Sequence, residues 1–445
     1  MTEPIKQRSD LTWEEKREQR FQHWLSPPGV VFDSPAAEAR YKDKVNRFIQ
    51  AITLQESDRV PVILPVSNYP AYYAGYTLHD VMHDYDKLHE SWIKFMQEFD
   101  LDTFSAPMLT FPAKVMEAVG NRLQKWPGHG LPVETTMSQY VEGEYMQADE
   151  YDDYLRDPLE YFIRCYLPRV WEVFKPFQQL EPHLAGYDMP YRILSLCARP
   201  EFQQAFRTLS DAAAEYMQWF KVVVDIEKRI LASGIPTLRG GMTSAPFDHF
   251  GDVFRGTRGI FADIYRQPDR LLSAMEENIP RQIAKVVESG KRALSPLVFM
   301  PLHKGDDTFM SEKQFLTFYW PQLKKLLLGM IEEGFVPFLF AEGKYNTRLE
   351  LINELPRGSV IWHFDQTDMF NAKKILGGSA CLVGNVPSSL VCTGTADAVK
   401  ARCLELIEVC GEGGGYILAG GASVDRCNPD NLRAMLASVR EFKRT

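Results

Sequence analysis

The second half of the chain alternates short apolar runs with amphipathic stretches, and this restricts the fold more than any other feature. The runs are Pro236–Gly240, Pro296–Leu302, Val336–Ala341, Ser359–Phe364, Ala380–Val386 and Gly415–Ala419. Helical patterns separate most of them: Ser311–Glu333, Tyr345–Leu355, Met369–Leu376 and Ala396–Val409. Apolar runs of strand length divided by helices predict a parallel α/β architecture, because parallel strands are covered on both faces. The run Arg59–Val66, RVPVILPV, supplies a seventh strand. One more would close an eight-stranded barrel. A doubly wound sheet fits the same spacing, but its dinucleotide form needs a GxGxxG turn after a strand. That turn is absent, as is a Walker loop.

Upstream, helices are predicted at Asp86–Phe99, Leu159–Phe174, Arg199–Ala232 and Gln267–Ser289. Residues 1–50 carry two amphipathic segments, Trp13–Trp24 and Ala37–Ile49, broken by Pro27, Pro28 and Gly29. They are expected to be an N-terminal helical extension packed on a single domain over 51–445, with a docking arm as the alternative. The Pro- and Gly-rich stretch within 107–158 is expected as an insertion or cap over a pocket.

Polar residues stand where the apolar runs end. His303 follows Leu302, Glu342 follows Ala341, and His363 and Asp365 lie at the end of Ser359–Phe364. Asn385 closes the next run, and Gly420 and Gly421 follow the last. In a β/α barrel the strand C-termini converge on one rim, so groups distant in sequence surround one pocket. Imidazole and carboxylate groups gathered there suit proton transfer near neutral pH, or coordination of a hard or borderline metal by Glu342 and His363. Asn385 is expected to orient a substrate, and Arg239 is a candidate to grip an anion. The alternative for each polar residue is a helix cap or a turn. The segment SNYPAYYAGY places Tyr69, Tyr72 and Tyr73 after the first run, as a binding loop or a packed aromatic loop.

Other classes recede on composition. The 50 basic and 59 acidic residues leave a net charge of -9, unsuited to indiscriminate binding of nucleic acid or anionic membrane. The seven cysteines are odd in number and form no CxxC pair, which disfavours a disulfide scaffold and a clustered zinc site. No apolar leader opens the chain and no run nears the roughly 20 residues that span a bilayer; a cytoplasmic protein is expected. A GxSxG elbow is also absent.

The segments HKGDDTFMSEKQFLTFYWPQLKK, VPFLFAEG, GSVIWHFDQTDM, CLVGNVP and GGGYILAGGASVDRCNPDNLRAM together resemble the uroporphyrinogen decarboxylase superfamily, which includes corrinoid-dependent methyltransferases. The resemblance is strongest over 295–435 and implies a TIM-type (β/α)8 barrel. The decarboxylases carry an arginine-containing RQAGR-like segment after the first strand, where this chain has PVSNYPAYYAG, and a GHG-like segment after the last, where it has Gly420–Gly421. The zinc-dependent methyltransferases carry an HxC pair where this chain has Phe340, Ala341 and Glu342, and a later Cys where it has Gly420–Ser423. The resemblance therefore implies methyl transfer from a small methoxylated or N-methylated compound to a corrinoid protein or a pterin such as tetrahydrofolate. His303, Glu342, His363 and Asp365 would surround the leaving atom, Tyr69, Tyr72 and Tyr73 would form an apolar lid, and zinc or another divalent metal is the candidate cofactor. A homodimer is the candidate assembly. The alternatives are a decarboxylase, with Arg239, Lys304 or Lys344 holding a carboxylate, and a non-catalytic corrinoid- or tetrapyrrole-binding barrel.

Overall fold

The structure, a computed structural model, describes residues 10–180 and 189–442. Seven parallel strands curl into one sheet: β1 (Val62–Ile63), β2 (Gly241–Met242), β3 (Leu297–Leu302), β4 (Val336–Ala341), β5 (Ile361–Phe364), β6 (Cys381–Val383) and β7 (Tyr416–Ala419). Their spatial order is β1-β7-β6-β5-β4-β3-β2. From β2 to β7, strands consecutive in the chain are therefore neighbours, and β1 pairs with β7, as in a TIM-barrel-like architecture.

The ladder does not close into the expected (β/α)8 barrel among the described residues. The segment Leu101–Ala106 occupies the gap between β1 and β2 without forming a strand. Asp102 accepts from Arg59 Nη2 at 2.5 Å and from Val62 N at 3.0 Å on one side. On the other, the Pro236 carbonyl accepts from Phe104 N at 3.4 Å and from Thr103 Oγ1 at 2.8 Å. Prolines explain the short edges: Pro61, Pro65 and Pro236 have no N–H to give to a ladder. They contract the expected run Arg59–Val66 to Val62–Ile63 and shift Pro236–Gly240 to Gly241–Met242.

Most expected helices form close to their anticipated bounds, including Tyr85–Glu98, Pro200–Ala232, Pro268–Gly290 and Met369–Leu376. Two do not. Leu159–Phe174 is broken into Pro158–Tyr161, a π-turn at Phe162–Tyr166 and Leu167–Val170, where Pro168 opens the last piece. Tyr345–Leu355 is a series of turns. Here Thr347 N donates to Asp307 Oδ2 at 3.2 Å, Asn346 Oδ1 accepts from Asp368 N at 2.9 Å, and the Arg348 guanidinium donates to the Met310 carbonyl. These tertiary bonds replace the local ones a helix would use.

Two N-terminal helices underlie the sheet. Helix α1 (Trp13–Leu25) starts on a capping box, with Thr12 Oγ1 accepting from Glu15 N at 3.3 Å and Glu15 Oε2 from Thr12 N at 2.8 Å. Helix α2 (Pro35–Ile52) starts on Ser34, with proline at its first turn. Phe21 and Trp24 of α1 and Tyr41, Val45, Phe48 and Ile52 of α2 bury themselves against Leu297, Phe338, Ile361, Cys381 and Ile417. By the period of two along a strand, those sheet residues face the inside of the curl. The helices thus close the N-terminal end of the sheet, leaving the C-terminal end for chemistry. Among the described residues no helix is long and apolar enough to cross a membrane.

Candidate active site

The inward-facing positions of consecutive strands place the polar residues. Pro301 pairs with Phe340, and Phe340 with His363. Two residues further along each chain come His303, Glu342 and Asp365, so all three extend the inward-facing rows beyond the strand ends. Gly343 turns the chain just after Glu342 with φ +81°, and a Cβ there would lie 2.4 Å from Asp306 Oδ2. Gly421, after β7, likewise leaves room for Asp365, whose carbonyl oxygen would lie 2.8 Å from an added Cβ.

His303 is the hub. Its Nδ1 lies 2.6 Å from Asp252 Oδ2, and its Nε2 lies 3.6 Å from Glu342 Oε1. Asp252 also pairs with the Lys304 ammonium, whose Nζ donates to Glu142 Oε1 at 3.0 Å. Asp248 underpins the turn: its carboxylate accepts from His303 N at 2.9 Å, Lys304 N at 3.0 Å and the Tyr319 hydroxyl at 2.6 Å. The His303 side chain is 36% exposed and that of Glu342 44%, whereas Lys304 is sealed at 2%. The face open to solvent is thus an imidazole beside a carboxyl group.

The charges of the cluster set its protonation. Burial opposes the charged form of His303, but the hydrogen bond to Asp252 and the charges of Asp248, Asp252 and Glu342 outweigh it and raise its pKa to about 9. Burial, with the charges of Asp365 and Asp252, raises the Glu342 pKa against the pull of His303. Burial also resists ionisation of Asp252, yet the bond to His303 and the His303 and Lys304 charges hold its pKa below the usual value. A raised imidazole pKa stabilises the fold fully below the unfolded value near 6.5, and that contribution disappears as pH rises through about 9. In Asp252→Asn the His303 titration midpoint, followed by imidazole NMR, should fall by more than one unit from about 9. An unchanged midpoint would remove Asp252 as the brace.

The other sequence-derived candidates are placed elsewhere or otherwise engaged. His363 faces inward one layer below, its ring 4.7 Å from that of Phe340, with Nε2 donating to the Gly420 carbonyl at 2.8 Å. Burial drives its pKa down to about 4, so it is neutral. Asn385 Nδ2 donates to the carbonyls of Asp365 at 3.0 Å and Thr367 at 2.7 Å. It holds the loop that carries Asp365. Tyr69, Tyr72 and Tyr73 lie on helix α3 (Tyr69–Ala74). Tyr69 and Tyr73 pack on Phe95, and the Tyr73 hydroxyl donates to Glu98. Tyr72 carries Arg426 above its ring at 4.6 Å. The charge facing Arg239 is Glu227 on the helix Pro200–Ala232.

A metal does not fit the residues named for it. The His363 nitrogen is spent on a backbone carbonyl, and Glu342 faces His303. Among the described residues no group of three or more His, Cys, Asp or Glu side chains is arranged to hold an ion.

Sequence reasoning passed over Asp248, Asp252, Tyr319 and Glu142. Asp248 and Asp252 stand four apart in APFDHFGDVF, just beyond β2, a spacing that places both on one helical face. That was the available signal, but the second lies in a π-helical stretch, His249–Arg255, which no simple periodicity marks. Glu142 carries no local signal, because it belongs to the stretch between helices and reaches Lys304 only in the folded chain.

A family model described as Uroporphyrinogen decarboxylase (URO-D) matches residues 196–442, more than half of the chain. Among solved structures, a methyltransferase from Methanosarcina mazei is similar with a TM-score of 0.57 and 16% sequence identity, over 89% of this chain and 98% of that chain. That likeness concerns the fold. No curated protein matches.

Proposed function

The chain belongs to the uroporphyrinogen decarboxylase family, and from that premise we propose that it transfers a methyl group from a small methoxylated or N-methylated compound to a corrinoid protein, with a pterin such as tetrahydrofolate as the other acceptor. The observation that carries this reading is the imidazole of His303, braced through Nδ1 by Asp252 and turning Nε2 toward the half-exposed Glu342. A proton donor at that position meets the main chemical difficulty of the reaction. When the methyl–heteroatom bond breaks, its electron pair stays on the leaving oxygen or nitrogen, which departs readily only if it gains a proton. A reduced corrinoid bound by the partner protein supplies the nucleophile that accepts the methyl group. His303 donates its Nε2 proton to the leaving atom, Asp252 holds the ring in orientation, and Glu342 returns a proton from solvent. Burial, with the charges of Asp365 and Asp252, raises the Glu342 pKa and so favours its protonated form. The stretch 107–158 acts as a cap, tied down through Glu142 to Lys304.

The lysine beside His303 is already paired, which favours methyl transfer over decarboxylation. A carboxylated substrate needs unpaired cations to receive it. Lys304 is committed to Asp252 and Glu142, Arg239 is withdrawn by burial with Glu227 as the opposite charge acting on it, and Lys344 is exposed. The fold likeness to a methyltransferase points the same way.

The test mixes the purified protein with a reduced corrinoid protein and a panel of methoxylated and N-methylated compounds, following methyl-cobalt absorbance. Methylation with at least one compound is expected. No methylation across the panel, with carbon dioxide released from carboxylated compounds instead, would move the assignment to a lyase.

A further inference from the structure

Inward-facing side chains of a TIM-type sheet normally fill its interior in buried layers. The lower layer here obeys that rule: Leu297, Phe338, Ile361, Cys381 and Ile417 are buried against α1 and α2. The layer above does not. Along β3, Phe299 and Pro301 are partly exposed while Val298, Met300 and Leu302 are buried. Along β4 the partly exposed residue is Phe340, along β5 it is His363, and along β1 it is Ile63. Met242 of β2, paired with Phe299, is 49% exposed. In β1, β3, β4 and β5 the accessible residues are inward-facing ones, and Met242 is the more exposed residue of β2. Solvent thus reaches this side of the interior from the C-terminal end, whereas Val383 of β6 and Ala419 of β7 are buried.

The walls of this opening are apolar and aromatic. The Phe299 and Phe340 rings stack at 6.3 Å and 26°, and Phe340 and His363 lie 4.7 Å apart at 34°. His363 adds no charge, because desolvation pushes its pKa down to about 4 despite the bond to the Gly420 carbonyl. Directly above, on the same inward-facing rows, stand His303, Glu342 and Asp365. Successive inward positions on a strand are about 6.6 Å apart, the scale of a benzene ring with its ether oxygen.

We infer that the opening lined by Met242, Phe299, Phe340 and His363 is a subsite for a planar, uncharged aromatic ring, which makes aryl methyl ethers the methyl donors. This rests on the methyl-transfer reading for the donor role, while the ring subsite stands on the lining alone. The ring lies on the aromatic floor, and the ether oxygen rises to the level of His303 Nε2. On transfer, the methyl–oxygen bond breaks, the methyl passes to the reduced corrinoid, and the oxygen keeps the electron pair and takes the His303 proton, leaving a phenol.

Binding to the full chain is measured by ligand-detected NMR titration with methoxybenzene, methoxycyclohexane and tetramethylammonium as probes. Methoxybenzene should bind most tightly. Phe340→Leu, which keeps the apolar bulk, should weaken methoxybenzene about fivefold, the scale of a lost aromatic pair, and change methoxycyclohexane little. Met242→Gln alters an exposed wall where folding is not at stake, and should weaken both neutral ethers. The subsite is overturned if methoxybenzene fails to bind, if neither substitution changes its affinity, or if tetramethylammonium binds more tightly. Ring binding without methyl transfer would uphold the subsite and remove the reaction; transfer from an N-methylated compound without ring binding would do the reverse.

Discussion

In the methyl-cobalt assay, His303→Gln is expected to lower the rate about 10²- to 10⁴-fold, the range that a positioned proton donor contributes. Glutamine offers a hydrogen bond to Asp252 but has no proton to release near neutral pH. The turn should be kept, because its hydrogen bond comes from the His303 backbone N–H to Asp248, while the variant gives up the stability that the charged imidazole contributes below about pH 9. The loss should be smaller for a donor whose leaving group is already a weak base, such as a nitrophenyl methyl ether, since such a group needs less protonation. A variant with the wild-type rate on every donor would exclude His303 as the acid.

The largest effect on stability is expected at Arg255. Its guanidinium is 3% exposed, donates from Nε to Asp263 Oδ2 at 2.6 Å and from Nη2 to Asp263 Oδ1 at 3.2 Å, and also holds the Met146 carbonyl. Asp263 accepts further from the Tyr151 hydroxyl at 2.8 Å. Arg255→Met leaves that carboxylate buried with its cation gone, which costs about 3–5 kcal/mol. Asp263→Leu added to Arg255→Met should recover a substantial part, since no isolated charge then remains. Urea unfolding midpoints of the two variants check both statements. A single variant as stable as wild type would show that water reaches Asp263. The same pair ties Met146, four residues from Glu142, to the core, so its loss should also loosen the contact of Glu142 with Lys304.

Much of the frame was legible because it depends on local pattern. The runs that became β3, β4 and β5 have continuous apolar character, and helices such as Met369–Leu376 repeat apolar residues at helical spacing. At the edges of the sheet, around Pro61, Pro65 and Pro236, apolar content overstated the strand, because each proline removes one ladder N–H; β3 and β4 run through Pro301 and Pro337, paired on both sides. Tyr345–Leu355 has a helical pattern but makes turns, since Asp307, Asp368 and Met310 claim its backbone and side chains from a distance.

His303, Glu342 and Asp365 could be singled out by position alone, since each follows a readable strand and a parallel sheet carries all strand C-termini to one end. Whether such groups touch depends on register and side-chain direction, which no single segment encodes. Folding joined His303 to Asp252 and Glu342, turned His363 inward onto the Gly420 carbonyl, and packed Tyr69 and Tyr73 on Phe95. The linear chain thus determined its parallel α/β character and the rank of polar residues at the strand ends, because both follow from periodicities of two and 3.6. Only the tertiary structure decided which imidazole is braced and charged, which is neutral, and that solvent reaches inward-facing side chains beneath them. Those properties arise from hydrogen bonds and Coulomb interactions across 50 or more residues of sequence, as between Asp252 and His303.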